Sequence, residues 1–192
     1  MFFVLAAVVG LLAGWAGRGS MGRLGQAQLH AWPLALAALA AHRLLPLLWK
    51  PGTDAPWPLL AALGYSLALL VFAAWNIRQA GAALVGAGAV ANGVATAVSG
   101  GRMPVWVVAT ARMTPARLLP LLHGLTRTHV AMTNPTGVRW LGDVLALPQP
   151  FPPGVISAGD LAIALGVALF IAVAMWPRAS ADISAPSLGD RA

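Results

Sequence analysis

The sequence predicts an all-α integral membrane protein of about five transmembrane helices, with a long ordered connection between the fourth and the fifth. Three observations carry this expectation. The chain of 192 residues is 59% hydrophobic and only 9% charged, whereas soluble domains carry about 25% charged residues. So little charge cannot cover a water-facing surface, and lipid is the solvent that suits such a composition. Five apolar stretches approach the roughly 20 residues that a helix needs to cross about 30 Å of hydrocarbon. Six of the eight tryptophans fall near the ends of those stretches, at the membrane–water boundary that a half-solvated indole prefers.

The first stretch runs from Phe2 to Ala16 and is closed by Trp15. No basic residue precedes it and Arg18 follows it, the reverse of a secretory signal, so a retained first span is expected. The second runs from Leu29 to Trp49, bracketed by Trp32 and Trp49, and the third from Trp57 to Ile77, bracketed by Trp57 and Trp75. The fourth, Ala80 to Val98, is dense in small residues; the fifth runs from Asp160 to Trp176. Residues 1–178 read as one transmembrane bundle domain. Residues 179–192, rich in Ser, Ala, Pro and Asp, read as a mobile C-terminal tail.

The connection from Ser99 to Gly159 is too long to be structureless in a compact protein. Val105 to Ala111 is apolar and is expected to dip into the membrane interface. Pro115 to His123 is amphipathic and predicts a short surface helix. The prolines between Pro148 and Pro153 stop any helix, since proline lacks the donor and clashes with the preceding turn. The segment is expected to fold over one mouth of the bundle. Arg18, Arg23, Arg78 and Arg178 share one side of a five-span topology, against Lys50 and the nearby Arg43 on the other. This places the N-terminus outside and the C-terminus in the cytoplasm of a bacterial inner membrane.

The net charge of +7 is scattered between apolar spans and not gathered on one polar face, which speaks against nucleic acid as a partner. The chain has no cysteine, which removes disulfides, Cys-ligated metals and thiol chemistry. Gly10 with Gly14, Ala82 with Gly86, and Ala89 with Gly93 and Ala97 have the spacing that lets membrane helices approach closely, within the chain or against a partner.

Catalytic signatures are missing, and the reading leans away from an enzyme. There is no Gly-x-Ser-x-Gly elbow, Walker loop or dinucleotide fingerprint in the required context. "VGAGAVANG" from Val85 lies inside an apolar span. His30 and His42 are twelve residues apart, about 18 Å along a helix, so they cannot ligate one iron together. His123 and His129 lack helix-face spacing. No metal site or cofactor is expected; a haem on His30 or His42 is the alternative that the histidines leave.

Polar residues inside apolar spans are better pointers, because they are expensive in lipid. Asn92 sits mid-way along the fourth span, and Tyr65 and Ser66 lie in the third. Ser157-Ala158-Gly159-Asp160 has the spacing of a capping box opening the last helix, with Ser157 and Asp160 as the reciprocal pair. Asp143 follows Arg139 by four residues, and Arg102 is its other candidate partner. Asn92, Arg102, Asp143 and Asp160 are therefore the candidate ligand-binding residues, beneath the 99–159 loop.

The stretches "GRGSMGRLGQAQLHAWPL", "SGGRMPV", "WLGDVLALP" and "VISAGDLAIALG" occur in this order. In them the chain resembles a bacterial family of small polytopic membrane proteins of unknown function. The likeness extends to Trp176, with Ser99 standing where the family pattern has Asn. The resemblance implies the multi-pass topology and supplies no activity. The expected function is a non-enzymatic accessory or scaffolding subunit of a larger membrane complex, with the lipid bilayer and other membrane subunits, or a second copy, as partners. The alternative is a small membrane binding or transport protein for a lipid, quinone or cation, its site under the 99–159 loop.

Overall fold

A computed structural model of the protein describes residues 2–48, 57–149 and 151–177. Trp49, Lys50, Pro150, Arg178 and the 179–192 tail lie outside the described residues. Most of the described chain is helical, but it is not all-α. A small four-stranded sheet stands beside the helices.

The apolar periods become α1 (Phe2–Ala16), α3 (Trp32–Leu44), α4 (Trp57–Trp75), α5 (Ala82–Ala97) and α7 (Ala158–Met175). A short helix, α2 (Met21–Gly25), follows α1. It is capped by Ser20, whose hydroxyl accepts from the Arg23 N–H. The helices pack in the order α1, α7, α5, α4, α3, so α7 and α5 are interior and α1 and α3 are flanking. Leu69, Ala89 and Ile163 form the centre of the apolar core, with Phe3, Ala35, Tyr65 and Val167 packed around them. Two helices, α4 and α7, are long and apolar enough to cross a membrane; α1 and α5 are apolar but shorter, at 15 and 16 residues.

The second apolar stretch departs most from expectation. Its helix has 13 residues, not 21. Ala31 adopts φ 54, in the left-handed region, which breaks the chain before Trp32, and Pro33 then occupies the first turn. At the other end Leu45–Leu48 tightens into a 3-10 turn around Pro46, whose nitrogen has no hydrogen to continue the ladder. His30 is consequently outside the helix and does not share it with His42. Its backbone N–H donates to Asn76 Oδ1 and its carbonyl accepts from Asn76 Nδ2, both at 2.8 Å. Asn76 is 2% exposed and stitches the 26–31 turn to the end of α4. Asn76→Ala leaves buried peptide groups unpaired, and the expected loss is about 2 kcal/mol, read from thermal unfolding in detergent.

At this same end Arg23 Nε donates to the Met175 carbonyl at 2.7 Å, and the Ser20 N–H donates to it at 3.0 Å. A cation thus meets the negative end of the α7 dipole. The sheet lies at the opposite end. It comprises β1 (Met103–Trp106), β2 (His129–Met132), β3 (Asp143–Ala146) and β4 (Val155–Ser157), in the order β2-β1-β3-β4. β1 is parallel to both β2 and β3, and β3 is antiparallel to β4. Val105 to Ala111, expected at the interface, instead supplies β1 and a 3-10 turn. The amphipathic run becomes α6 (Pro115–Leu122). Arg112 Nη1 donates to the Leu147 carbonyl at 2.6 Å, which ties the segment before α6 to the proline-rich turn.

Small residues set the helix spacing. Gly10 and Gly14 of α1 face Ala168 and Met175 of α7, and Gly86 and Gly93 of α5 face Ala73 and Ser66 of α4. These small faces are occupied inside the chain. The closest crossing joins α5 to α7: a Cβ on Gly88 would collide with the Gly159 carbonyl and lie 2.7 Å from Ile163 Cγ1.

Candidate functional site

The sheet register explains why polar side chains gather at one place. β1 and β2 start together with Met103 beside His129, the parallel β3 starts two residues further along with Asp143 beside Val105, and β4 ends with Ser157 beside Asp143. Met103, His129, Asp143 and Ser157 are therefore neighbours, and Met103, His129 and Asp143 line a cavity of about 220 Å³ between the sheet and the helices. The helices contribute His42 and Arg43 from α3, Tyr65 and Ser66 from α4, Asn92 and Thr96 from α5, and Asp160 from α7. Apolar walls come from Leu39, Ala61 and Ala62. A wider outer chamber of about 410 Å³ adjoins it and shares His42, Arg43, Arg127, Thr128 and His129.

One wall is a rigid hydrogen-bonded triangle. The Asp160 N–H donates to Ser157 Oγ at 2.9 Å, and the Ser157 N–H donates back to Asp160 Oδ2 at 3.5 Å, which is the capping box. Asn92 joins it from α5. Its Nδ2 donates to Asp160 Oδ1 at 2.8 Å, and Ser157 Oγ donates to its Oδ1 at 2.7 Å. Asn92 is 8% exposed and Ser157 is fully buried. Thr96 Oγ1 donates to the Asn92 carbonyl at 2.7 Å, one turn further along α5. Every polar atom of the triangle has a partner, so the network fixes α5 against the start of α7.

The opposite wall holds an acid–imidazole pair. Asp143 is 5% exposed, and its Oδ2 lies 3.6 Å from His129 Nε2. Burial pushes the Asp143 carboxyl well above its ordinary value of 3.8, and the neighbouring Asp160 charge adds to the shift. Burial likewise lowers His129, with His42 the next cause. Both shifts favour uncharged side chains. The His129 ring is enclosed by protein, yet 45% of its side-chain surface is accessible, because it forms part of the cavity wall. The expected Asp143 partners, Arg139 and Arg102, are not its partners; Arg139 is exposed on a 3-10 turn, and Asp143 meets His129 instead.

Of the four candidate residues, Asn92, Asp143 and Asp160 line the cavity and Arg102 lines neither chamber. Sequence reasoning weighs His129 only as a metal or haem ligand, does not single out Arg127, and leaves Arg43 at a helix end. No local pattern marks them. His42, which stacks on Tyr65 with ring centroids 4.3 Å apart, lines both chambers, whereas His30 lies at the far end of the bundle. Among the described residues no group of three or more His, Asp or Glu is placed to hold a metal ion.

The model of a family described as "Family of unknown function (DUF5317)" matches residues 28–172. That range includes every polar cavity residue named above. A Thermotoga maritima protein, described as uncharacterized, is 34% identical over 117 residues. The match covers 60% of this chain and 64% of that protein, just under two thirds of the relative's length. No solved structure matches the chain.

Proposed function

The chain belongs to the DUF5317 family of unknown function, and on that premise we propose that it is a small membrane-embedded binding protein whose ligand occupies the cavity beneath the sheet. One observation supports this most. Five helices and strands from distant parts of the chain direct Arg43, Asn92, His129, Asp143 and Asp160 into one cavity, within a chain that has few polar side chains to place. Intramembrane or juxtamembrane ionisable groups are expensive, and a cavity lined by them is the default binding-site hypothesis. We read α1, α3, α4, α5 and α7 as the five membrane-embedded helices. The short α1, α3 and α5 fit a thinned bilayer or one partly displaced by the sheet. Outward-facing Val4, Leu12, Leu60, Leu67, Leu165 and Leu169 then meet lipid, consistent with a bacterial inner-membrane location. With the N-terminus outside and the C-terminus cytoplasmic, the sheet and the cavity mouth face outward.

The scaffolding subunit expected from the sequence loses one of its motives, since the small-residue faces already pack within the chain. A bare cation is disfavoured as ligand because Arg43 and Arg127 line the space beside the two aspartates. Mass-spectrometric identification of small molecules extracted from the purified protein tests the reading. The expected result is one compound at stoichiometric amount, depleted in Asp143→Ala. Equal trace amounts in both proteins contradict it.

A further inference from the structure

The outer chamber has a chemistry of its own. Among the described residues, His42, Arg43, Arg127 and His129 line it, together with Thr126, Thr128, Leu47 and Leu125, and none of these is a carboxylate. The only two acidic residues among the described ones, Asp143 and Asp160, line the inner cavity. Asp160 is held by Asn92 and the helix cap, and Asp143 faces His129. Arg43 has no hydrogen-bond or ion-pair partner among the described residues. The segment that carries Arg127 is pinned on both sides: Thr126 Oγ1 donates to the His129 carbonyl at 2.5 Å, and Thr128 Oγ1 pairs with His129 Nδ1 at 2.8 Å. Arg127 thereby lines the chamber from a short, fixed turn, and Arg43 lines it from the end of α3.

We propose that the outer chamber is a phosphate site, with Arg43 and Arg127 as its two cations and the organic body of the phosphate-bearing molecule lying against the exposed leucines at the end of α3. This rests on the ligand-binding reading and deepens it. Two guanidinium groups from separate elements match a phosphate, whose oxygens accept paired N–H donors and whose charge reaches two units. At about 410 Å³ the chamber is larger than a lone halide fills. Leu44, Leu47 and Leu48 are 60%, 64% and 80% exposed and continue from its rim along the apolar surface, where an acyl chain packs well. A lipid headgroup and a soluble phosphate share this chemistry, and experiment separates them.

The full-length protein in neutral detergent is titrated with dioctanoyl phosphatidate, dioctanoyl phosphatidylcholine and inorganic phosphate, following adducts by native mass spectrometry and stability by thermal unfolding. The expected result is one saturable phosphatidate per chain, weakened about tenfold or more in Arg43→Gln and in Arg127→Gln and retained in Arg43→Lys and Arg127→Lys, with binding that falls as salt rises. Saturation by inorganic phosphate with the same dependence on both arginines also supports the site and identifies a soluble source; phosphatidate alone identifies a lipid. Uptake of phosphatidylcholine equal to that of phosphatidate, or binding indifferent to both Gln variants, overturns the proposal. If the anions do not bind while a neutral compound still co-purifies with the wild type, the phosphate assignment fails and the binding-protein reading stands.

Discussion

Gly159→Ala is expected to destabilise the protein strongly, because it adds a methyl group inside the α5–α7 crossing. The new Cβ would overlap Asn92 Oδ1 and lie 2.7 Å from both Asn92 Cγ and the Gly88 carbonyl. Neither neighbour moves freely. The Gly88 carbonyl belongs to the backbone of α5, and Asn92 is held by Ser157 and Asp160. Relief requires α5 and α7 to separate, which also breaks the buried amide bridge. Overpacking costs about 1–3 kcal/mol, and leaving buried polar groups unpaired costs a further 1–3 kcal/mol or so. The expected total is about 3 kcal/mol or more, seen as a lower unfolding midpoint in detergent. Gly25→Ala is the control: nothing lies within 4 Å of its added Cβ. Equal midpoints for the two variants would show that the α5–α7 crossing is not close.

The second large effect is on the pH dependence of stability, through Asp143. Its folded-state pKa is raised by burial and by Asp160, so above pH 3.8 the folded chain retains a proton that the unfolded chain has lost. Stability falls with rising pH when the folded state binds more protons, at up to about 1.4 kcal/mol per pH unit for one proton. Asp143→Asn removes that slope. His129 contributes the opposite sign: its pKa is lowered by burial, so the unfolded chain binds the extra proton and stability rises with pH until 6.5. The wild type therefore shows two opposed slopes and the variant only the rising one. The difference, variant minus wild type, is expected to grow steadily from pH 3.8 upward, measured as unfolding midpoints across buffers at constant ionic strength. A difference that is flat with pH would mean that Asp143 is solvated.

These residues show where the sequence is legible and where it is not. α1 matches its apolar run to the residue, and the ends of α4, α5 and α7 fall within two residues of expectation, because apolar helices are set by local composition and by caps such as Ser157 and Asp160. α3 is shorter than the mostly apolar stretch from Leu29 to Trp49; its limits come from the left-handed Ala31, which no local sequence pattern announces, and from the Asn76 bridge 46 residues away. The sheet is not legible in the sequence. Its strands have three or four residues, too few to display an alternation, and Pro104 argues against a central strand. Trp106 and Trp140, the two tryptophans outside the expected span ends, stack edge to face at 5.9 Å in the sheet region.

The site divides in the same way. Asn92, Asp143 and Asp160 stood out because polar groups are scarce in this chain, and that scarcity is physical information about burial. The local Ser157–Asp160 cap is legible too, but the long-range partnerships are not. His129 lies 14 residues before Asp143, and Asn92 lies 65 residues before Ser157; parallel strand pairing brings the first two together and helix packing the second two. Arg102, one residue from β1, looked equally suitable by position and lines neither chamber. Arg127 is flanked by Thr126 and Thr128 in a run that has no recognisable motif, and its role depends on a turn that the sheet register creates.

The central claim is that a single chain encloses a ligand between its helices and its sheet. Native mass spectrometry of the wild-type protein released from lipid nanodiscs measures this directly. The account predicts one polypeptide carrying one small molecule, with the adduct lost in Asp143→Ala. A bare chain, or a chain released only together with a second polypeptide and no small molecule, would contradict it.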